Sequence, residues 1–230
     1  TRDAVDTLVE YKGAKILLVD TAGIRRRGRI EQGIEKYSVI RAVQAVERAD
    51  VAALVIDASE GMTAQDTHVA GYVLDAAKGM MVVANKWDLV AKGPTTTVDY
   101  TRHMQETLKF ASFVPFLFTS ALTHQRVGKI MELAVQIAAE RKRRIPTSTL
   151  NSEMQDAFVK HPPPASRGKG LKLFYVTQAG IEPPTFVFFV NDPKLLHFSY
   201  QRYLENEIRA RFGFDGTAIK LSFRARSEKE

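Results

Sequence analysis

The sequence predicts an α/β protein in two parts: an open, mainly parallel sheet flanked by helices, then a smaller α-β-β-α-β module. Three observations carry that reading. Short apolar runs at residues 15–19, 51–56, 80–84 and 115–118 alternate with helical patterns, as buried parallel strands do. Each run closes on polar residues, Asp20, Asp57, Asn85 and Thr119-Ser120. Past Pro146 the order of patterns changes to helix, two strands, helix and strand. In an open α/β sheet ligands bind beyond the carboxyl ends of the strands, so the four polar closures line one binding edge.

Taken in order, residues 8–11 and 15–20 join around Gly13, which predicts a hairpin bringing an antiparallel edge strand onto the sheet. Val69, Tyr72, Val73 and Ala76 share the i, i+3, i+4, i+7 spacing of an amphipathic helix, as do Ile130, Leu133, Ala134 and Ile137. The first part closes in Glu140-Arg141-Lys142-Arg143-Arg144, then Ile145-Pro146. Cations suit a helix C-terminus, although the same run could touch RNA. Residues 150–160 read as a helix stopped by His161-Pro162-Pro163-Pro164. Strands are expected at 171–178 and 185–190. Asp192 is a candidate N-cap with Pro193 at the first helical position, Leu196, Tyr200, Leu204 and Ile208 mark one helix face, and Gly213 ends it. Ile219, Leu221 and Phe223 alternate with Lys220, Ser222 and Arg224 in a half-buried last strand.

The residues at the binding edge suit guanine. The Asp88 carboxylate of Asn85-Lys86-Trp87-Asp88 can accept two parallel hydrogen bonds from the ring NH and exocyclic amine of guanine, and adenine offers no such pair. The stem of Lys86 can lie along the purine face with its ammonium in water. Asn85 can tie neighbouring loops through both ends of its amide, and Ser120-Ala121 would offer the Ala121 N–H to the guanine oxygen. A lone Asn-Lys-x-Asp is weak; with Asp20-Thr21-Ala22-Gly23 upstream and Ser120-Ala121 downstream it spells a guanine-nucleotide site.

Thr1-Arg2-Asp3, Asp20-Thr21-Ala22-Gly23-Ile24-Arg25-Arg26, Asn85-Lys86-Trp87-Asp88 and Thr119-Ser120-Ala121-Leu122-Thr123 resemble the successive motifs of a P-loop G domain. Pro162-Pro163-Pro164, Pro183-Pro184-Thr185-Phe186 and Phe198-Ser199-Tyr200 narrow the resemblance to the Der (EngA) family of bacterial double GTPases, over nearly the whole chain. The resemblance implies most of a second GTPase domain at 1–145 and a KH-like domain at 146–230. It implies a monomeric, cytoplasmic, GTP-hydrolysing switch in large-subunit ribosome biogenesis, with the large ribosomal subunit and its rRNA as partners. The nucleotide would be GTP or GDP with magnesium at Thr1 and, through water, at Asp20; the Gly23 N–H would sense the terminal phosphate. Arg25, Arg26, Arg27 and Arg29 would follow in a switch loop. Ile24 stands where many G domains carry a water-positioning Gln, so potassium assistance is a further implication. His124 stands where the family more often has Gly.

A G domain opens with a strand, a loop of the form G-x-x-x-x-G-K-[ST] and a helix, and no such loop is present. Gly28 and Gly33 have its glycine spacing, but Ile34-Glu35 follow. The expectation is a fragment that alone binds GTP weakly and does not turn it over. The alternative is a noncatalytic RNA- or protein-binding scaffold with a vestigial nucleotide site.

The remaining features weigh less. The 230 residues contain no cysteine, excluding disulfides and thiolate metal sites, and no apolar run approaches the roughly 18 residues of a membrane span. A net charge of +7 and a pI near 9.6 favour a phosphate-rich partner. His68, His103, His124, His161 and His197 lack metal-ligand spacing. Gly213-Phe214-Asp215-Gly216 has the spacing of a KH GXXG loop but lies between helix and strand, favouring a helix stop. Phe174, Tyr175, Phe186, Phe188 and Phe189 read as core in preference to a base-stacking platform.

Overall fold

A computed structural model describes residues 6–19, 43–164 and 169–226. The chain divides into two compact units between Ala138 and Ala139. In the first, β1 (Asp6–Tyr11) and β2 (Ala14–Val19) form an antiparallel hairpin, with Lys12 and Gly13 at positive φ in its turn. Parallel strands β3 (Val51–Asp57), β4 (Gly79–Asn85) and β5 (Phe116–Phe118) follow in the order β3-β4-β5. Helices α1 (Ala64–Asp75), α2 (Thr96–Thr107) and α3 (Gly128–Lys142) connect and follow them. Every residue of β4 before Asn85 is buried, because the strand has a core on each face. Met80, Val82 and Ala84 join a cluster with Met104 and Trp87; Met81 and Val83 pack with Ile137, Ile130, Leu133 and Ala134 of α3.

Three expectations change here. The hairpin stands as its own two-stranded sheet: among the described residues β2 is not paired with β3, and Leu8, Leu17 and Leu18 remain exposed. The buried positions of α1 are Ala70 and Val73, with Leu74 half-buried beside them and Ala77 buried just past the helix end, each one residue beyond the expected set, while Tyr72 lies in solvent. Both sets share the same spacing. The small Ala70 lets the helix approach the sheet, while a phenol at Tyr72 keeps its polar end wet. Helix α2, not singled out from sequence, supplies Tyr100 and Met104 at i, i+4 to the core.

In the second unit α4 (Thr147–Lys160) and α5 (Phe198–Phe212) cover one face of a sheet ordered β6-β7-β8, made of β6 (Leu173–Gly180), β7 (Thr185–Val190) and β8 (Lys220–Ala225). β7 is antiparallel to β6 and parallel to β8. Leu150, Met154 and Phe158 of α4 meet Tyr200, Leu204 and Ile208 of α5 over Val176, Phe186, Phe188 and Val190. The side chain of Asn151 pairs with the outer edge of β6: its amide donates to the Val176 carbonyl at 2.7 Å and its oxygen accepts from the Val176 N–H at 2.8 Å. Asp192 caps only the short 3-10 turn at Pro193–Leu195; the helix proper is capped by His197, whose Nδ1 accepts from the Ser199 N–H.

Candidate guanine-nucleotide site

Parallel pairing brings the ends of β3, β4 and β5 to one edge, with Asp57 in register with Asn85. The strand-end loops are then stitched together. Thr119 N–H donates to the Ala84 carbonyl at 2.9 Å, and Trp87 N–H to the Thr119 carbonyl at 2.9 Å. Asn85 Oδ1 accepts from the Ala121 N–H at 3.0 Å and lies 3.4 Å from the Thr119 hydroxyl. Asn85 thus ties its loop to the Ser120-Ala121 loop, as its residue type suggested. The Ala121 N–H meant for a guanine oxygen already has a partner in Asn85, and a base there would have to share it. Ser120 is fully buried and turns its own loop, its hydroxyl accepting from the Thr123 N–H at 3.1 Å.

Lys86 takes a left-handed backbone (φ 60°), a conformation that costs an L-residue about 1 kcal/mol and needs fixing by its surroundings. Its ammonium does not stand free in water but pairs with Asp57, whose other oxygen accepts from the Ser59 N–H and hydroxyl. The Lys86 ammonium, then Ser59, hold the Asp57 carboxyl down at about 2. Beside Lys86, Trp87 turns inward, 3% exposed, with its ring 4.4 Å from Phe118 and 5.3 Å from Tyr100. The Tyr100 hydroxyl donates to the Ala58 carbonyl, and burial pushes that phenol upward. Burying an aromatic of this size contributes about 3 kcal/mol, which anchors the loop between Asn85 and Asp88.

Asp88 is the exception in this bonded set. Its Oδ1 is buried with no hydrogen-bond partner among the described residues. A buried, unmatched carboxylate oxygen is costly unless a donor arrives from outside, and paired N–H donors of guanine are such donors. Of the expected residues the structure therefore gathers Asn85, Lys86, Asp88, Ser120 and Ala121. Thr1, Asp20, Thr21, Ala22 and Gly23, with the switch arginines Arg25, Arg26, Arg27 and Arg29, lie outside the described residues. Sequence reasoning did not assign the Asp57 brace or the Trp87-Tyr100-Phe118 anchor. The strand-end position of Asp57 beside Asn85 was the available signal for the first. His124 lies in the same loop region at φ 56°, where glycine is favoured, which accounts for the residue usual there in the resembled family.

A parallel sheet whose strand-end loops carry Asn85-Lys86-Trp87-Asp88 and Ser120-Ala121, followed by an α-β-β-α-β module, has the layout of a G-domain protein. The profile for the "KH-domain-like of EngA bacterial GTPase enzymes, C-terminal" matches residues 144–224, and that for a "50S ribosome-binding GTPase" matches residues 1–86. The chain is 51% identical to GTPase Der of Chloroflexus aggregans over 100% of its own length and 51% of that protein's. It is 54% identical to GTPase Der of Thermomicrobium roseum over 98% and 50%. The chain belongs to the Der (EngA) family and corresponds to its C-terminal region, spanning about half the length of these relatives. A structure of Era with MgGDPNP and nucleotides 1506–1542 of 16S ribosomal RNA shares the fold at a TM-score of 0.51 and 17% identity, covering 98% of this chain and 81% of that one.

The second unit treats its motif differently. Gly213 (φ 79°) ends α5, Phe214 is fully buried, and Arg209 donates to the Phe214 and Thr217 carbonyls at 3.0 and 3.1 Å. Phe214 N–H donates to Glu140 at 3.0 Å. The loop is a helix stop locked into the core. Among the described residues no group of three or more His, Asp or Glu could hold a metal, and no helix is long and apolar enough to cross a membrane.

Proposed function

We propose that this chain is part of a GTP-hydrolysing switch acting in assembly of the large ribosomal subunit, with its guanine-nucleotide domain at 1–145 and a KH-like domain at 146–230. The observation that carries the nucleotide half is the buried, unpartnered Asp88 Oδ1 beside the Asn85 brace. The partner half is supported by the 50S-binding description of the matching profile and by the basic charge. The protein works as a cytoplasmic monomer. Asp88 selects guanine, Asn85 and the Asp57-Lys86 pair hold the base loop in shape, and Gly23 reports the terminal phosphate to the arginine-rich loop. The Thr1 hydroxyl and, through water, the Asp20 carboxylate would hold magnesium, being a hard-oxygen donor set that suits this ion. It would supply charge neutralisation on the phosphates. Ile24 carries no group that could orient water, so potassium would supply that assistance.

The test is base choice in the full-length protein. Asp88→Asn puts a donor where the carboxylate accepted, so preference moves from GTP toward xanthosine triphosphate. A site built for particular hydrogen bonds discriminates by about 10⁴-fold or more. Unchanged GTP affinity in a competition titration places the base site elsewhere. Cosedimentation with large subunits tests the switch: binding is tighter with a nonhydrolysable GTP analogue than with GDP, and falls with salt. Equal binding in both states leaves a scaffold.

A further inference from the structure

The aromatic residues of the second unit divide between the two faces of its sheet. Phe186 and Phe188 are fully buried in the core with Val176, Leu221 and Phe223 beside them. Tyr175 and Phe189, opposite each other on β6 and β7, face the other way and stack at 4.2 Å with 10° between their planes. The register shift between Leu173 and Tyr175 inserts Phe174 as an extra residue on β6. A bulge of this kind re-aims a side chain, and bulges favour functional surfaces. Phe174 and Tyr175 are 39% and 42% exposed, and neither belongs to the core cluster. The Arg226 guanidinium lies 5.2 Å over the Phe174 ring. On β8, Arg224 is in register with Phe189 and Lys220 with Thr185, both exposed and on the same face.

That outer face carries rings and cations with no acidic residue among its strand positions: Tyr175, Thr177, Thr185, Val187, Phe189, Lys220, Ser222 and Arg224. Phe174 and Tyr175 meet solvent beside positive charge, with Phe189 half-buried against Tyr175 and Val187 buried. A protein partner of ordinary composition is matched by no such bias, whereas a single nucleic acid strand offers both bases to stack and phosphates to pair. A duplex keeps its bases stacked on one another and presents only phosphates. We propose that the outer face of the β6-β7-β8 sheet binds single-stranded RNA, stacking bases on Phe174 and on the Tyr175-Phe189 pair while Lys220, Arg224 and Arg226 take the phosphates. The choice of RNA over DNA rests on the ribosomal reading above; the surface itself does not. The sealed Gly213–Gly216 turn plays no part.

Fluorescence anisotropy of the full-length protein with a labelled RNA strand of about 12 nucleotides, the same strand as DNA, and an RNA duplex tests this. Tyr175→Ala and Phe189→Ala are each expected to weaken single-strand binding about 10-fold, and Tyr175→Phe to restore it. Lys220→Gln and Arg224→Gln should each lower the salt dependence by about one phosphate contact. Far-UV melting of every variant should match the parent, since these side chains lie outside the core. Single-strand binding unaffected by both alanine variants overturns the proposal. So does protection of Tyr175 from labelling in the RNA-free full-length protein, which would make the face an internal interface. Asp88→Asn should leave strand binding intact. Loss of nucleotide-dependent subunit binding with strand binding retained would remove the switch and keep the platform.

Discussion

Two four-residue motifs, Asn85-Lys86-Trp87-Asp88 in the first unit and Gly213-Phe214-Asp215-Gly216 in the second, look equally suggestive on paper and meet opposite fates. The first is braced on every side yet leaves one buried carboxylate oxygen without a donor. In the second, Phe214 fills the core, its backbone N–H reaches Glu140, and its carbonyl is held by Arg209. The two loops differ in what their residues do with their bonding groups; spacing of residue types shows only that a backbone shape is possible.

This contrast can be broken most sharply by paired substitutions. Phe214→Ala should destabilise the second unit by about 4 kcal/mol, the cost of truncating a fully buried aromatic, while nucleotide affinity in the full-length protein stays as it was. Asp88→Ala should do the reverse: GTP binding collapses, and stability in urea is unchanged or rises by up to about 1 kcal/mol, because a carboxylate oxygen buried without a partner is gone. A large stability loss at Asp88 would mean that the carboxylate is structural after all.

A smaller effect is expected at the brace. Asp57→Asn removes the partner of Lys86 and should cost about 1.5 kcal/mol at neutral pH. The sign with pH is set by the lowered carboxyl: its stabilisation is fully present above the ordinary value of 3.8 and is lost as pH falls toward about 2. Denaturant titrations across that window should show the parent losing stability that the Asn variant never had. The smallest change is His124→Gly, which should raise stability by about 0.5 kcal/mol by relieving a positive φ, as thermal melting would show.

The first unit was most legible at β4, whose apolar run is short, continuous and buried on both faces. Residues 80–84 could be read as a central strand from composition alone, and Asn85 as its end. Helix faces were less secure: in α1 two overlapping sets share one period, and only the volume of Ala70 against the sheet distinguishes them. The Asp57 brace was hidden because a link between residues 29 positions apart leaves no local pattern. In the second unit the succession of helices and strands was readable, but the split of five aromatics between two faces was not. A one-residue bulge changes which side of a strand the following residues face, and no propensity marks where it falls.

The amide of Asn151 has a consequence for assembly. By supplying one acceptor and one donor to Val176 it behaves as a strand one residue long, and Gln155 reaches the neighbouring Leu173 and Phe174 carbonyls from the same helix. The β6 margin is thereby occupied at Leu173, Phe174 and Val176, whereas among the described residues no strand lies beyond β8. Growth of this sheet is favoured on one side: a misfolded neighbour or a strand-donating partner finds a template at Lys220–Ala225 and a partly occupied margin opposite.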